Sequence, residues 1–294
     1  MKAKTVGMYA LGLSFILAGC SQGEETANQS IEEAVDYTFT GIEPGSGVTE
    51  AGHKVIADYE NLAGWDMTES SMAGMLVELE QAINNEEPII VTGFSPHWIF
   101  EEFDLKFLED PLNSLGEAEE MRSITREGFA DDFPGANQII DNFYWEMEDI
   151  QAVMSEALDI PFEDAAQNWV DANPDKVAEW TEGTQEGNGE MIELVALPWD
   201  SERAPSHVMK IVLEDQGYEV NLVDVEPAIM FQAIAAGQSD ASVSPWLPIT
   251  HAGFYEAHHE DIVDLGANLN DVRVGIVVPS YMDIDSIEDL APRE

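Results

Sequence analysis

Cations are scarce in this chain. Lys and Arg number 11 against 59 Asp and Glu, a formal net charge of −48 over 294 residues. Phosphate backbones are bound through Lys and Arg, so this deficit excludes general nucleic-acid binding. Cysteine is all but absent. Cys20 is the only one, which leaves no disulfide and no thiolate metal site. Beyond the first twenty residues, no apolar run is long enough to cross a bilayer. Also missing are Gly-x-Ser-x-Gly, His-Glu-x-x-His and a Lys-containing phosphate loop, so the common signatures of hydrolases and nucleotide enzymes are absent. Neighbouring carboxylates are unavoidable among 59 acids, and a secreted hydrolase working through paired acids or a histidine is the weaker alternative. His258 and His259 beside Glu260 and Asp261 read as a solvated acidic face, with no metal and no cofactor expected.

Apolar residues make up 45% of the chain. That is enough for a full core in one large domain or two lobes. The acids are spread along the chain and form no tail, so the whole surface repels itself and is relieved by salt. This pattern points to a saline habitat. At the N-terminus, Lys2 and Lys4 precede an apolar stretch, Val6 to Leu17, too short to span as a mature helix. It ends Leu17-Ala18-Gly19-Cys20, with small residues before the cut and a cysteine after it. This looks like a lipobox, so residues 1–20 are expected to be a signal peptide and Cys20 the lipidated N-terminus. The polar, acidic stretch 21–36 is expected to be a flexible tether.

The remainder contains a faint repeat. Strand Thr38–Ile42 leads to a helix near Glu50–Leu62, a second helix near Ser71–Asn84 and a strand at Pro88–Thr92. Later the order returns. Strand Met191–Leu197 leads to a helix near Glu202–Gln216 closed by Gly217, then strand Tyr218–Val225. A helix near Pro227–Ala236, closed by Gly237, precedes strand Ala241–Ser244. Gln81-Ala82-Ile83 recurs as Gln232-Ala233-Ile234, 151 residues on. Phe94-Ser95-Pro96 answers Trp246-Leu247-Pro248, and Pro44 answers Pro198. Alternating strands and helices predict an α/β fold with parallel sheets, here in two copies and thus two lobes. Ligands of such sheets bind beyond the carboxyl ends of the strands. This selects the loops Glu43–Val48, Phe94–Trp98, Pro198–Glu202 and Pro245–His251.

Those loops hold Phe94, Trp98, Trp199 and Trp246, together with His97 and His251. A quaternary ammonium has no N–H to donate, but aromatic faces can surround it, each worth roughly 0.5–2 kcal/mol when desolvated. The Gly-rich turn Pro44-Gly45-Ser46-Gly47-Val48, just ahead of a helix, can offer backbone N–H groups to a carboxylate. His251 can add one more donor. A cage with an anion clamp describes a betaine. Choline lacks the carboxylate and would leave the clamp unused. Trp145, Trp169 and Trp180 are expected to be core residues on helical stretches. His97 and Trp98 are candidates for packing beneath the cleft.

Several segments resemble one family. They are Leu197-Pro198-Trp199-Asp200-Ser201-Glu202, Val212 to Val220, Trp246-Leu247-Pro248-Ile249-Thr250-His251, Gly41 to Val48, Ser95-Pro96-His97-Trp98 and Leu108-Glu109-Asp110-Pro111. Over residues 37–292 the chain is similar to the glycine betaine-binding proteins of osmoprotectant ABC importers, especially their lipoprotein members. The resemblance implies a two-lobed, periplasmic-binding-protein-like fold of type II that closes over its ligand. Lobe one would be 37–112 plus 283–294 and lobe two 113–282, with hinge strands near Lys106–Leu108, Ser123–Arg126 and Val272–Val278. It implies an aromatic prism from Trp199, Trp246 and Phe94, the last standing where the family normally has Trp. Gly47 and Val48 would be the backbone donors and His251 the carboxylate-binding histidine. The implied role is a non-enzymatic, extracytoplasmic, lipid-anchored binding protein that delivers glycine betaine to an ABC permease and ATPase. Phe94 leaves room for weaker binding, or for dimethylsulfoniopropionate or proline betaine. Choline and carnitine are the alternative ligands.

Overall fold

A computed structural model of the chain describes residues 29–116 and 118–293. Cys20 and the signal segment lie outside the described residues. Ten strands join in one sheet: β1 (Thr38–Thr40), β2 (Asp66–Thr68), β3 (Val91–Ser95), β4 (Leu105–Phe107), β5 (Glu119–Arg126), β6 (Met191–Ala196), β7 (Glu219–Asp224), β8 (Ala241–Ser242), β9 (Trp246–Leu247) and β10 (Ile262–Pro279). Their spatial order is β2-β1-β3-β10-β5-β8-β6-β7, with β4 beside β10 and β9 beside β5. The two ends are parallel. β1 runs between β2 and β3, and β6 between β7 and β8. These are the two lobes that the repeat predicts.

The antiparallel β10 joins the lobes. Its first half, Ile262–Val272, pairs with β5, and its second half, Arg273–Pro279, pairs with β3 and β4. Register shifts between Asp264 and Val272 bend the strand where it passes from one lobe to the other.

Helices of the two lobes follow the expected order with shifted ends. The first begins at Gly47, since Ser46 Oγ accepts from the Thr49 N–H and caps it. It stops at Asp58, and Glu60–Leu62 continues as a separate 3-10 turn. The second is Met72–Asn85. Their counterparts are Asp200–Asp215 and Pro227–Ala235, closed by Gly217 and Gly237 at φ +89° and +64°. β3 is displaced from the expected 88–92 to Val91–Ser95. Pro88 has no N–H for a ladder, and β10 pairs with Gly93, Phe94 and Ser95. The QAI repeat is real in space: Ala82 and Ala233 are buried on equivalent helices. Ser95-Pro96 and Leu247-Pro248 are both cis.

Between β5 and β6 lies a set of helices that consumes three tryptophans. Trp169 stacks on Trp180 at 5.9 Å, and Trp145 meets Trp169 edge-on at 5.7 Å. Phe143 stands against Trp180 at 4.8 Å. All four are buried, as expected of core residues. Trp145 is an exception in one respect. It sits in the link between helices Pro134–Asn142 and Met147–Glu156, where its N–H donates to the Asn268 carbonyl at 3.0 Å. The expected tether also ends early. Ser30 caps a helical turn, Ile31–Ala34, and Ile31 and Val35 pack on the core of the first lobe.

Candidate ligand-binding site

The two lobes enclose a cavity of about 660 Å³, and each of the four selected loops reaches it. From the first lobe come Gly47, Val48 and Phe94, and from the second Trp199, Trp246 and His251. The structure therefore brings together all six residues singled out for ligand contact. Phe94 and Trp246, equivalent positions in the repeat, meet across the lobes with centroids 5.8 Å apart at 80°. Both are nearly buried, while Trp199 is half-buried. Gly47 faces the other lobe closely: a Cβ there would come 2.9 Å from Thr250 Cγ2. The lobes thus touch at Phe94–Trp246 and at Gly47–Thr250.

The clamp residues are arranged by backbone geometry. Gly47 and Val48 open the helix Gly47–Asp58, and the first N–H groups of a helix have no partner within it. They carry the positive end of the helix dipole. His251 is buried, and its Nδ1 accepts from the Trp246 N–H at 2.9 Å. That bond assigns the proton to Nε2, which leaves Nε2–H as the donor toward a ligand. Burial pushes the ring down to about 4, so it is neutral at neutral pH. His97 is similar. Its Nδ1 accepts from the Ile99 N–H at 3.2 Å, its ring lies 4.8 Å from Phe94, and burial lowers it to about 4. It lines the cavity behind Phe94. Trp98 is half-buried and its indole reaches Asp200.

The charge of the cavity is one-sided. Among the described residues, Glu43, Asp200, Glu202 and Glu226 line it, and Lys and Arg do not. Glu43 Oε1 accepts from the Met72 N–H at 2.9 Å, capping the helix Met72–Asn85 from across the loop. Burial raises Asp200 above the ordinary carboxylate range and pushes Glu202 up to about 8. Such a wall suits a ligand with a cationic end.

Two residues of the site escape inspection of the sequence. Glu202 is one. The other is Glu119, buried at the start of β5. Its Oε2 accepts from the N–H groups of Ile249 (2.8 Å) and Thr250 (2.7 Å), and its Oε1 from Thr250 Oγ (2.6 Å). One carboxylate thus fixes the loop between Trp246 and His251 to the start of β5. A single acid among 59 gives no sign of such burial. For Glu202 the signal was its place in Trp199-Asp200-Ser201-Glu202, at a predicted helix start in a cleft loop. His258 and His259 lie outside the cavity. His259 is exposed, with Nδ1 2.9 Å from the Glu256 carbonyl, and no group of three metal-ligating side chains occurs among the described residues.

Comparison with known proteins shows the family. The model of the substrate binding domain of ABC-type glycine betaine transport systems matches residues 21–172 and 190–294. The glycine betaine/carnitine transport binding protein GbuC of Listeria monocytogenes is 40% identical over 283 residues, covering 95% of this chain and 94% of that protein. Among solved structures, lactococcal OpuAC in its closed conformation with glycine betaine is 38% identical. That match covers 50% of this chain and 58% of the other, with a TM-score of 0.48. A choline-binding protein of an ABC transporter, in complex with choline, matches at 23% identity over 52% and 55% of the two chains, with a TM-score of 0.44. A cleft between two lobes, with no catalytic signature and a family model matched along nearly the whole chain, leaves one conclusion: this chain belongs to the substrate-binding proteins of ABC-type glycine betaine transport systems.

Proposed function

We propose that the protein captures glycine betaine outside the cytoplasm and hands it to an ABC importer. The trimethylammonium sits among Phe94, Trp199 and Trp246. The carboxylate accepts hydrogen bonds from the N–H groups of Gly47 and Val48 and from Nε2–H of His251. The observation that carries this reading is the shared cavity: three aromatic rings, an open helix N-terminus and a neutral histidine with one free donor line it together, without a Lys or Arg. The donors explain why a carboxylate needs no cation here, and the rings explain why the ammonium needs no ion pair. Carnitine also carries both groups, and the 40% identical relative is named for both solutes, so carnitine is the second ligand to test.

The same proposal includes the anchor: Cys20 becomes the lipidated N-terminus after removal of residues 1–19, which keeps the protein at the membrane beside its permease. Lobe one (37–112 with 283–294) and lobe two (113–282) close on the ligand, with β10 shared between them. The acidic surface suits a saline medium. Calorimetric titration with glycine betaine, carnitine, dimethylsulfoniopropionate and choline tests the ligand assignment. Saturable binding of glycine betaine, stronger than that of choline, supports the cage and clamp. Choline binding as tightly as glycine betaine removes the role of the clamp.

A further inference from the structure

Glu202 is a carboxyl group with no cationic partner among the described residues, sealed into the cavity wall. It is 4% exposed and sits in the first turn of the helix Asp200–Asp215, three residues after Trp199. Its one side-chain partner is Ser201, whose hydroxyl donates to Oε2. The charged and titratable groups around it are few. On its own helix, Asp200 adds repulsion, Arg203 is turned to Asp224 in an ion pair, and His207 lies a turn further on. Across the cavity are Glu43 and His97 from the first lobe, and Glu226 and His251 from the second. None of these supplies a positive charge, since His97 and His251 are neutral there.

We infer that Glu202 is a specificity residue of this cavity, whose proton decides how strongly the site favours a zwitterion over a cation lacking the carboxylate. This rests on the binding role proposed above and deepens it. The expected effect is a double difference. Glycine betaine and choline share the trimethylammonium head, so a charge on Glu202 acts alike on that part of both. Only glycine betaine also carries a carboxylate, and a negative Glu202 repels it wherever it lies in the cavity. With its proton in place, Glu202 adds no charge to the wall and no repulsion of its own. Without it, the balance moves toward choline. Burial, the cause of the high affinity of Glu202 for its proton, places the change near pH 8. The histidines of the cavity do not change charge in that range.

The test is calorimetric titration of both ligands from pH 6 to 9.5, with the native protein, Glu202→Gln and Asp200→Asn. The affinity ratio of choline to glycine betaine should rise by about tenfold through pH 8 in the native protein. It should rise equally in Asp200→Asn and stay flat in Glu202→Gln. Infrared spectroscopy gives a readout independent of ligand: a protonated carboxyl band present at pH 7 and lost in Glu202→Gln. A flat ratio in the native protein, with glycine betaine bound, overturns this inference alone and leaves the binding role standing. A rise that persists in Glu202→Gln, or vanishes in Asp200→Asn, also overturns it. Absence of binding by either ligand at every pH removes the binding role and this inference with it.

Discussion

The two lobes present the same element to the cavity in opposite ways. In the first, a helix begins Ser46-Gly47-Val48, with no side chain at Gly47, and these three residues line the cavity. In the second, the equivalent helix begins Trp199-Asp200-Ser201-Glu202. There the positive end of the dipole already lies beside two carboxyl groups of its own chain. One helix start carries no acidic side chain at its first two positions, and the other carries two acids beside a ring. The repeat also pairs Phe94 with Trp246, a plain ring opposite an indole. Two similar α/β units thus present unlike residues to one cavity, an arrangement that fits the zwitterion proposed above.

The comparison can be broken at several points. Trp246→Ala should have the largest effect. It removes the buried ring that faces Phe94 across the lobes, and glycine betaine affinity should fall by about a hundredfold or more in titration calorimetry. Gly47→Val should come next. Its side chain meets Thr250 and blocks both lobe contact and the helix N–H groups. A loss of about thirtyfold for glycine betaine is expected, with a smaller loss for choline. Glu119→Gln should cost about tenfold in affinity, because three hydrogen bonds that shape the Trp246–His251 loop are disturbed while no ligand contact is removed. The smallest effect is expected of Phe94→Trp. An indole attracts a cation better than a phenyl ring. However, Phe94 is packed between His97 and Trp246, and crowding there offsets part of the gain. Tightening by no more than about threefold is the expected result.

The histidines make stability depend on pH. His97 and His251 titrate near 6.5 when unfolded and near 4 when folded, so the unfolded chain binds more protons between those values. Stability should fall as pH drops from about 6.5 to 4. Glu202 acts in the opposite direction: its folded form keeps a proton up to about 8 that the unfolded chain releases near 4.5, so its contribution declines as pH rises between them. Denaturant melts of Glu202→Gln should therefore gain on the native protein above pH 8.

The four helices of the repeat and the cleft loops were legible in the sequence because local signals carry them, whereas the helices between β5 and β6 were not read. Gly217 and Gly237 end helices through left-handed φ, and Pro227 starts one. The ends of β3 were not legible, since Gly93–Ser95 become strand only by pairing with β10, about 180 residues away. The six cavity residues were readable because they sit in loops that the topology selects. Glu119 and Glu202 were not, because their burial comes from long-range packing and an acid looks the same in sequence whether solvated or enclosed.

The central claim is that the carboxylate end and the ammonium end are read by different residues. Titration calorimetry of glycine betaine and choline against the native protein and His251→Ala tests it most directly. The account predicts that His251→Ala weakens glycine betaine by about tenfold or more and leaves choline within about twofold. Equal losses for the two ligands would contradict it.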